Sequence, residues 1–225
     1  MTIDKELKRG DKFDIISFDI FDTLIERSVM KPSTVFYQIG LEVLKERGKA
    51  KLFRERRISA EVDARRESES GEVNLNDIYR KLFVYYGITA GILKEHEINA
   101  EIEGCKARVK WRSLFYAYLH NNKKVLLISD MYLPSSVIVD MLRKCGIDGY
   151  CSLFVSNEYG CNKVSGFLFS LARQNVGCVN GTHLHYGDSI MADYIGAKKG
   201  GAKPRMLLKN HWLYKLIIKN IDVTC

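Results

Sequence analysis

Proline and long apolar runs are scarce in this sequence. Only three of its 225 residues are proline, while 46% are hydrophobic, so the chain is neither collagen-like nor disordered and can form a packed core. Its most apolar segments, VLLI at 125–128 and LYKLII at 213–218, are far shorter than the roughly 20 residues that span a bilayer. The opening segment MTIDKELKRGDKF lacks the apolar stretch of a secretion signal. We therefore predict a cytoplasmic protein without a transmembrane segment.

The six cysteines form no C-x-x-C pair, which argues against a zinc site or a disulfide framework. We predict reduced thiols that are mostly buried. Lysine and arginine outnumber aspartate and glutamate by 35 to 27, a net charge of +8. This balance favours an anionic partner, whether nucleic acid, a membrane surface or a small substrate. The charges are not interleaved with stacking aromatics, so nucleic-acid binding is the weaker interpretation.

Short apolar runs alternate with helical patterns through the first residues and the second half of the chain. The predicted strands are 14–18, 124–128, 151–155, 183–186 and 205–208, and the predicted helices between them are 135–145, 164–175 and 189–199. A further basic, amphipathic helix is predicted over 209–220, where it packs on its own core or meets a membrane or partner. Such alternation predicts an α/β fold, a Rossmann-like three-layer parallel sheet with helices on both faces.

The stretch 28–119 interrupts this rhythm. It contains a charged helix over about 51–68, a helix capped by Asn74 or Asn76, and a long helix after Thr89 that breaks near Gly104. It is too helical to be a loop, so we predict a helical cap at 28–119, inserted into a discontinuous core formed by 1–27 and 120–225. The cap is expected above the carboxyl ends of the strands, where open α/β sheets bind their ligands.

Polar residues follow four of the predicted strands and are expected to meet at that edge. They are Asp19 with Asp22 and Thr23, Ser129 with Asp130, Lys163, and the segment Gly187-Asp188-Ser189 with Asp193. Carboxylates from two strands can hold a hard cation through oxygen. A lysine and a hydroxyl nearby can hold phosphoryl oxygens.

In order and context these motifs resemble those of the haloacid dehalogenase-like (HAD) superfamily. They read SFDIFDTL, LLISD, a lone Lys163 and GDSIMAD, and the resemblance covers about 11–27 and 120–208. More narrowly, FDIFDTLIER and ISDMYLP are similar to predicted hydrolases found with bacterial surface-polysaccharide genes. The resemblance implies a Mg²⁺-dependent phosphatase that hydrolyses a small phosphomonoester, such as a sugar phosphate or a nucleotide-like molecule.

The resemblance also implies roles for single residues. Asp19 would be the nucleophile that becomes an aspartyl-phosphate. The expected Mg²⁺ ligands are Asp19, Asp188 and the carbonyl of Phe21, with Asp193 orienting a metal-bound water. The expected phosphate-binding residues are Ser129, Asp130 and Lys163.

The sequence departs from the family at Phe21, where phosphatases usually carry an acid that protonates the leaving group. Asp22 either replaces that acid or is a structural residue at a position where the family often has glycine. An alternative interpretation is a catalytically weakened phosphate-binding or scaffold protein. A dehalogenase also lacks this acid, but it does not need the metal site that Asp188 and Asp193 suit.

Three further residues are candidates for substrate contact. Arg27 either contacts substrate or pairs with a cap carboxylate, and Tyr132 either lines the pocket or packs under the cap. Arg65, in the segment RERRISAEVDARR at 54–66, faces an anionic substrate or belongs to a salt-bridged surface. His183 and His185 share a strand face, either as a metal pair or, as the interpretation we favour, as ordinary strand residues.

Overall fold

The computed structural model describes residues 2–28 and 32–207. Its strands are β1 (Ile15–Phe18), β2 (Ile25–Arg27), β3 (Cys105–Ala107), β4 (Lys124–Ser129), β5 (Ser152–Val155), β6 (His183–Gly187) and β7 (Lys203–Met206). Five of them form one parallel sheet in the order β5-β4-β1-β6-β7. The predicted α/β, Rossmann-like architecture is therefore confirmed.

Helices cover both faces of this sheet. The α-helices are α1 (Ile3–Gly10), α2 (Pro32–Leu44), α3 (Arg47–Glu67), α4 (Leu75–Tyr86), α5 (Thr89–Gly104), α6 (Val109–His120), α7 (Ser135–Lys144), α8 (Ser156–Tyr159), α9 (Phe167–Asn175) and α10 (Ala197–Lys199), with a π-helix over Ile190–Gly196. Because successive strand side chains point to opposite faces, Ile16 and Phe18 pack in one core with α6 and α7. Ile15 packs with α9 and α10 in the other.

The sheet register places the site-bearing strand ends side by side. Phe18 of β1 lies opposite Leu127 of β4 and Tyr186 of β6. The residues that follow these three strands therefore emerge at one edge of the sheet, as the sequence predicts.

The stretch predicted as a cap holds α2 to α5 in the structure. Asn74 begins α4 with a capping box, in which Asn74 Oδ1 accepts from Asp77 N and Asp77 Oδ2 accepts from Asn74 N, both at 3.1 Å. The helix after Thr89 ends at Gly104, as predicted, and β3 follows. The division of the chain into core and cap stays a prediction, and α6 packs against α1 and β4.

Several local predictions need correction. The helix expected from 164 begins at Phe167, after a turn that opens at Lys163, and the single helix expected over 189–199 is a π-helix followed by α10. The last strand ends at Met206 rather than at 208, and α1, β2 and β3 were not predicted. The amphipathic segment 209–220 lies outside the described residues.

Two further expectations concern the burial of the cysteines and the absence of membrane-spanning helices. Among the described cysteines only Cys105 and Cys145 are buried, and Cys151 is exposed, so the expectation that most are buried is wrong. Within residues 2–28 and 32–207, no helix is both long and apolar enough to cross a membrane.

Candidate active site

Lys163 joins two carboxylates at the carboxyl edge of the sheet. Its ammonium Nζ donates to Asp19 Oδ1 and to Asp193 Oδ1, each at 2.6 Å. All three side chains are almost completely buried. The two carboxylates hold the pKa of Lys163 above its usual value although burial opposes this, so the lysine is a fixed positive charge.

Asp193 is fully engaged by protein donors. Its Oδ1 accepts from Lys163 and from His185 Nε2 at 3.1 Å, and its Oδ2 accepts from the backbone N–H groups of Asp188 at 3.0 Å and Ser189 at 2.9 Å. These four bonds use about all the lone-pair positions of a carboxylate. Burial alone would raise the pKa of Asp193, but Lys163 and His185 outweigh it and hold that pKa below its usual value.

Gly187 makes this arrangement possible. A Cβ at position 187 would lie only 2.2 Å from Asp193 Cγ, so any side chain there would displace the carboxylate. The glycine of the GDS segment is thus required by the close approach of Asp193.

A short relay of hydrogen bonds runs into Asp193 from the sheet. Ser17 Oγ lies 2.6 Å from His183 Nε2 and 2.7 Å from His185 Nδ1. Burial lowers the pKa of both imidazoles, that of His183 to about 3, so both rings are neutral. Since His185 Nε2–H donates to ionised Asp193, His185 Nδ1 accepts from Ser17, whose oxygen accepts from His183. The histidines are therefore not a metal pair but orient Asp193.

Asp188 is the carboxylate of the cluster that remains available. Ligand atoms of Asp19, Asp188 and Asp193 lie within 4.8 Å of one another. Within the described chain, the Asp188 side chain makes no hydrogen bond or ion pair. Burial, then Asp193 and Asp22, raise the pKa of Asp188 to about 6. Three carboxylates face one ammonium, so hard oxygen donors and uncompensated negative charge fit Mg²⁺.

Asp19 lies directly after β1, and one of its carboxylate oxygens makes no hydrogen bond with the described residues. Its backbone N–H donates to Tyr186 O at 2.8 Å, which fixes the chain as it leaves β1. Burial raises the pKa of Asp19, the nearby Asp193 raises it further, and Lys163 opposes both. Its Oδ1 is held by Lys163, whereas its Oδ2 has no hydrogen-bond partner among the described residues.

Two hydroxyls and a carboxylate complete this edge. Ser129 Oγ and Thr23 Oγ1 are buried without a hydrogen-bond partner in the part of the chain described. Each hydroxyl therefore has a hydrogen bond available to donate to a bound oxyanion. Asp130 Oδ1 accepts from the backbone N–H of Lys163 at 2.9 Å. This carboxylate therefore holds Lys163 in place, whereas a phosphate ligand would need a donor.

The residues after Asp19 form a tight turn. Asp22 is exposed, with a φ of 59°, a conformation that aspartate tolerates better than most residues. Its backbone carbonyl accepts from Arg108 Nη1. The Phe21 ring lies 4.8 Å from the guanidinium carbon of Arg27, so the position of the missing acid is covered by an aromatic ring and a cation.

The three substrate candidates lie in different surroundings. Arg27 Nε donates to Glu101 Oε2 at 2.8 Å. The ring of Tyr132 lies under the guanidinium of Arg57, at 4.8 Å. Arg65 is about one-third exposed and bonds Glu61 and the Gly71 carbonyl, which is the salt-bridged surface considered above. Their contact with a substrate stays a prediction.

No local pattern in the sequence indicates the buried ion pair between α3 and α5. Arg57 of α3 donates to both carboxylate oxygens of Glu97 in α5, at 2.8 and 2.7 Å, and both side chains are fully buried. Tyr79 O–H donates to the same carboxylate at 2.8 Å. An arginine in a charged helix is ordinarily expected at the surface. Its partner Glu97 lies 40 residues away in the chain, so the pair is visible only in the folded structure.

A separate cavity of about 760 Å³ lies beside α3 and α4. Its walls carry side chains of both charges, among them Arg56, Asp63, Glu67, Glu72 and Lys81. None of the predicted site residues lines it. This cavity is therefore distinct from the cluster around Asp19.

No family model matches the sequence, and no curated protein is significantly similar to it. Solved structures do match. A 2-haloacid dehalogenase from Pseudomonas syringae pv. Tomato DC3000 superposes with a TM-score of 0.63 and 18% identity, over 86% of this chain and 85% of its own. A protein assigned to the HAD hydrolases from Bacillus subtilis, with bound magnesium, gives 0.60 and 16%, over 92% and 99%.

A protein assigned as a β-phosphoglucomutase, from Thermotoga maritima, gives a TM-score of 0.58 at 12% identity, over 90% of each chain. Dehalogenases and phosphoryl-transfer proteins are thus both among the structures similar to this chain. The chain has the fold of the haloacid dehalogenase-like hydrolases.

Proposed function

We propose that this protein is a Mg²⁺-dependent phosphatase of the HAD-like superfamily, hydrolysing a small phosphomonoester through Asp19. The observation that carries the proposal is the cluster of Asp19, Asp188 and Asp193 within 4.8 Å, with Lys163 bonded to two of them. Cation-binding carboxylates and a fixed ammonium together suit a phosphoryl group better than a halide. The narrower resemblance of its motifs favours a sugar phosphate of surface-polysaccharide metabolism, in the cytoplasm.

The first step would be attack by Asp19 on phosphorus. The free Oδ2 of Asp19 forms the new O–P bond while the bond from phosphorus to the leaving oxygen breaks. The product is an aspartyl-phosphate, and the leaving oxygen departs with the electron pair. In the second step water attacks phosphorus, which releases inorganic phosphate and restores the Asp19 carboxylate.

The available donors divide into ligands and supports. Asp19, Asp188 and the Phe21 carbonyl would hold Mg²⁺. Asp193, whose four hydrogen bonds leave no lone pair for the expected metal-bound water, would instead fix Lys163 and the GDS loop. Bound there, Mg²⁺ would neutralise charge on the phosphoryl oxygens.

Other side chains would hold the transferring group. The unpartnered Ser129 hydroxyl can donate to one phosphoryl oxygen, and Lys163 offsets repulsion between Asp19 and an anionic substrate. Asp130 acts on the substrate indirectly, because its carboxylate is bonded to the Lys163 backbone. Its function is therefore to support the lysine.

Protonation of the leaving group is the weak point of the site. Asp22 has a left-handed φ and an exposed side chain, which support the structural role rather than the acid. Without an acid at Phe21, departure of a poor leaving group and activation of water are both slow. We therefore propose low turnover, or a substrate whose leaving group needs no proton.

Phosphate release from p-nitrophenyl phosphate, sugar phosphates and nucleotides tests the proposal, with and without Mg²⁺. We expect release by the wild type and by Asp63→Asn, a control on α3 whose carboxylate is 39% exposed, and none by Asp19→Asn. Equal release by Asp19→Asn would refute the role of Asp19. Halide release from 2-haloacids would indicate a dehalogenase, and Mg²⁺-dependent binding of a phosphate mimic without turnover would indicate a phosphate-binding protein.

A further inference from the structure

Arg27 lies against Phe21, the residue that stands where the usual acid is missing. Phe21 bridges Ile25, so the chain folds back after Asp19 and brings β2 beside the site. At the end of β2, Arg27 pairs with Cys105 of β3. Its guanidinium carbon is 4.8 Å from the Phe21 ring centroid, a cation–π contact that fixes the head group next to the residue two positions after the nucleophile.

The pairing of Arg27 with Glu101 leaves binding capacity on both side chains. Only Nε of Arg27 donates to Glu101, to Oε2 at 2.8 Å. The other carboxylate oxygen, Oε1, is buried without a partner in the described chain, and its side chain is fully buried. Within residues 2–28 and 32–207 the two terminal nitrogens of Arg27 make no hydrogen bond, and its side chain keeps 17% exposure.

This geometry is unusual for a purely structural ion pair. Buried arginine and carboxylate side chains frequently form two parallel bonds, as Arg57 of α3 and Glu97 of α5 do. Here the carboxylate holds the guanidinium by its Nε edge. The opposite edge, with its terminal N–H groups, remains open to a planar anion.

Arg27 and the carboxylate cluster share a charged neighbour, Asp22. Asp22 and Glu101 both raise the pKa of Arg27, and the same Asp22 raises the pKa of Asp188 in the metal cluster. Tyr132, two residues after Asp130, also lies close enough to act on it. Its contact with the Phe21 ring places Arg27 beside the turn that follows β1, whose strand is a neighbour of β4 in the sheet.

We propose that Arg27 binds an anionic group on the leaving group of the substrate, so that the enzyme selects phosphate esters whose leaving group carries a carboxylate or a second phosphate. This inference rests on the proposed phosphatase function and deepens it. By neutralising that anionic group, Arg27 would reduce its repulsion of the negative charge that develops on the leaving oxygen as the P–O bond breaks. It would partly compensate for Phe21. Glu101 is a positioning residue that holds Arg27.

A matched pair of substrates tests this directly. 3-Phosphoglycerate and glycerol 3-phosphate have similar leaving groups, but only the former carries a carboxylate. We expect the wild type to have a higher kcat/KM for 3-phosphoglycerate, and Arg27→Gln to lower that value about ten- to a hundredfold. Arg27→Gln should change kcat/KM for glycerol 3-phosphate less than about threefold, and Arg27→Lys should restore part of the preference. Arg143→Gln, at an exposed arginine on α7, should keep the wild-type ratio.

Glu101→Gln separates positioning from folding. We expect it to reduce the ratio of the two kcat/KM values, because Arg27 is less well fixed, while a merely structural role would lower both values equally. An Arg27→Gln variant that loses both substrates equally, or neither, would overturn the inference.

Binding measurements test the Arg27 anion site independently of phosphate release. In Asp19→Asn, which cannot turn over substrate, calorimetry should show tighter binding of 3-phosphoglycerate than of glycerol 3-phosphate, and added Arg27→Gln should abolish the difference. If the wild type releases no phosphate but this difference is present, the phosphatase proposal fails and the anion site stands. If phosphate is released and the binding difference is absent, the anion site fails alone.

Discussion

The acidic residues of the site differ in their partners, although the sequence presents them alike. Asp193 accepts four hydrogen bonds, Asp19 one and Asp188 none from the described chain. Spacing after strands was enough to predict that these residues meet. It could not predict which carboxylate is saturated, because the donor Lys163 follows a different strand and His185 of β6 meets Asp193 only in the folded chain. The open carboxylates are therefore the ones available to a cation.

Replacing Asp188 should have opposite effects with and without metal. Burial raises the folded-state pKa of Asp188 to about 6, well above the usual value of an aspartate. Its charge therefore destabilises the metal-free protein at pH 7, and this penalty declines as pH falls from about 6 towards the ordinary aspartate pKa of 3.8. We expect Asp188→Asn to raise the free energy of unfolding of the metal-free protein by about 1–2 kcal/mol at pH 7 and by less at pH 5. Urea denaturation at the two pH values measures this difference.

Added Mg²⁺ should make the wild type more stable than Asp188→Asn. It should raise the melting temperature of the wild type, because a ligand that binds only the folded state stabilises it, and raise that of Asp188→Asn much less. Asp140→Asn, an exposed carboxylate on α7, should behave like the wild type in both conditions. A Mg²⁺ shift of the same size in Asp188→Asn would remove Asp188 from the metal site.

Among the secondary-structure elements, those with local sequence signals were predicted best. The capping residue Asn74 and the break at Gly104 are both readable from neighbouring residues. The strands β2 and β3 are three residues each and pair only across the inserted helices, so no local pattern identifies them. The π-helix after Ser189 was read as an ordinary helix, because an extra residue per turn leaves no clear signal in seven residues.

The π-helix contacts the backbone of Lys163 through Gly196. A Cβ at this position would lie 1.9 Å from the Lys163 carbonyl oxygen, so Gly196→Ala must displace the Lys163 backbone. We expect kcat/KM to fall about a hundredfold, as for an ångström-scale misplacement of a catalytic group. Gly91→Ala in α5, with no atom within 4 Å, should keep activity. Wild-type activity in Gly196→Ala would contradict this account of how Lys163 is held.

A buried ion pair, Arg57 with Glu97, joins α3 to α5. Arg57→Ala leaves Glu97 buried and uncompensated, so we expect a loss of about 3–5 kcal/mol in the free energy of unfolding. Arg66→Ala on the same helix, where the arginine is 73% exposed, should cost less than about 1 kcal/mol. The double variant Arg57→Met/Glu97→Met should recover most of the loss. A loss of less than about 1 kcal/mol in Arg57→Ala would show that Glu97 is not left as an uncompensated buried charge.

For the whole molecule, alternating strands and helices were enough to predict the sheet and the edge at which the site lies. Strands β1, β4 and β6 are neighbours in the sheet although they are far apart in the chain. The contacts that tune the site could not be predicted, because they join residues from separate elements, such as Ser17 with His185 and Arg27 with Glu101. A sequence shows which residue types are present but not these pairings.

The most direct test of the central claim is to look for phosphate on Asp19. Wild-type protein is mixed with radiolabelled p-nitrophenyl phosphate and Mg²⁺, quenched in acid and digested with trypsin. We predict label on the peptide FDIISFDIFDTLIER, residues 13–27, localised to Asp19 by fragmentation, and expect it to accumulate because Phe21 supplies no base for the second step. Omission of Mg²⁺, or Asp19→Asn, should abolish the label. Phosphate release without protein-bound label, or label on another residue, would contradict the account.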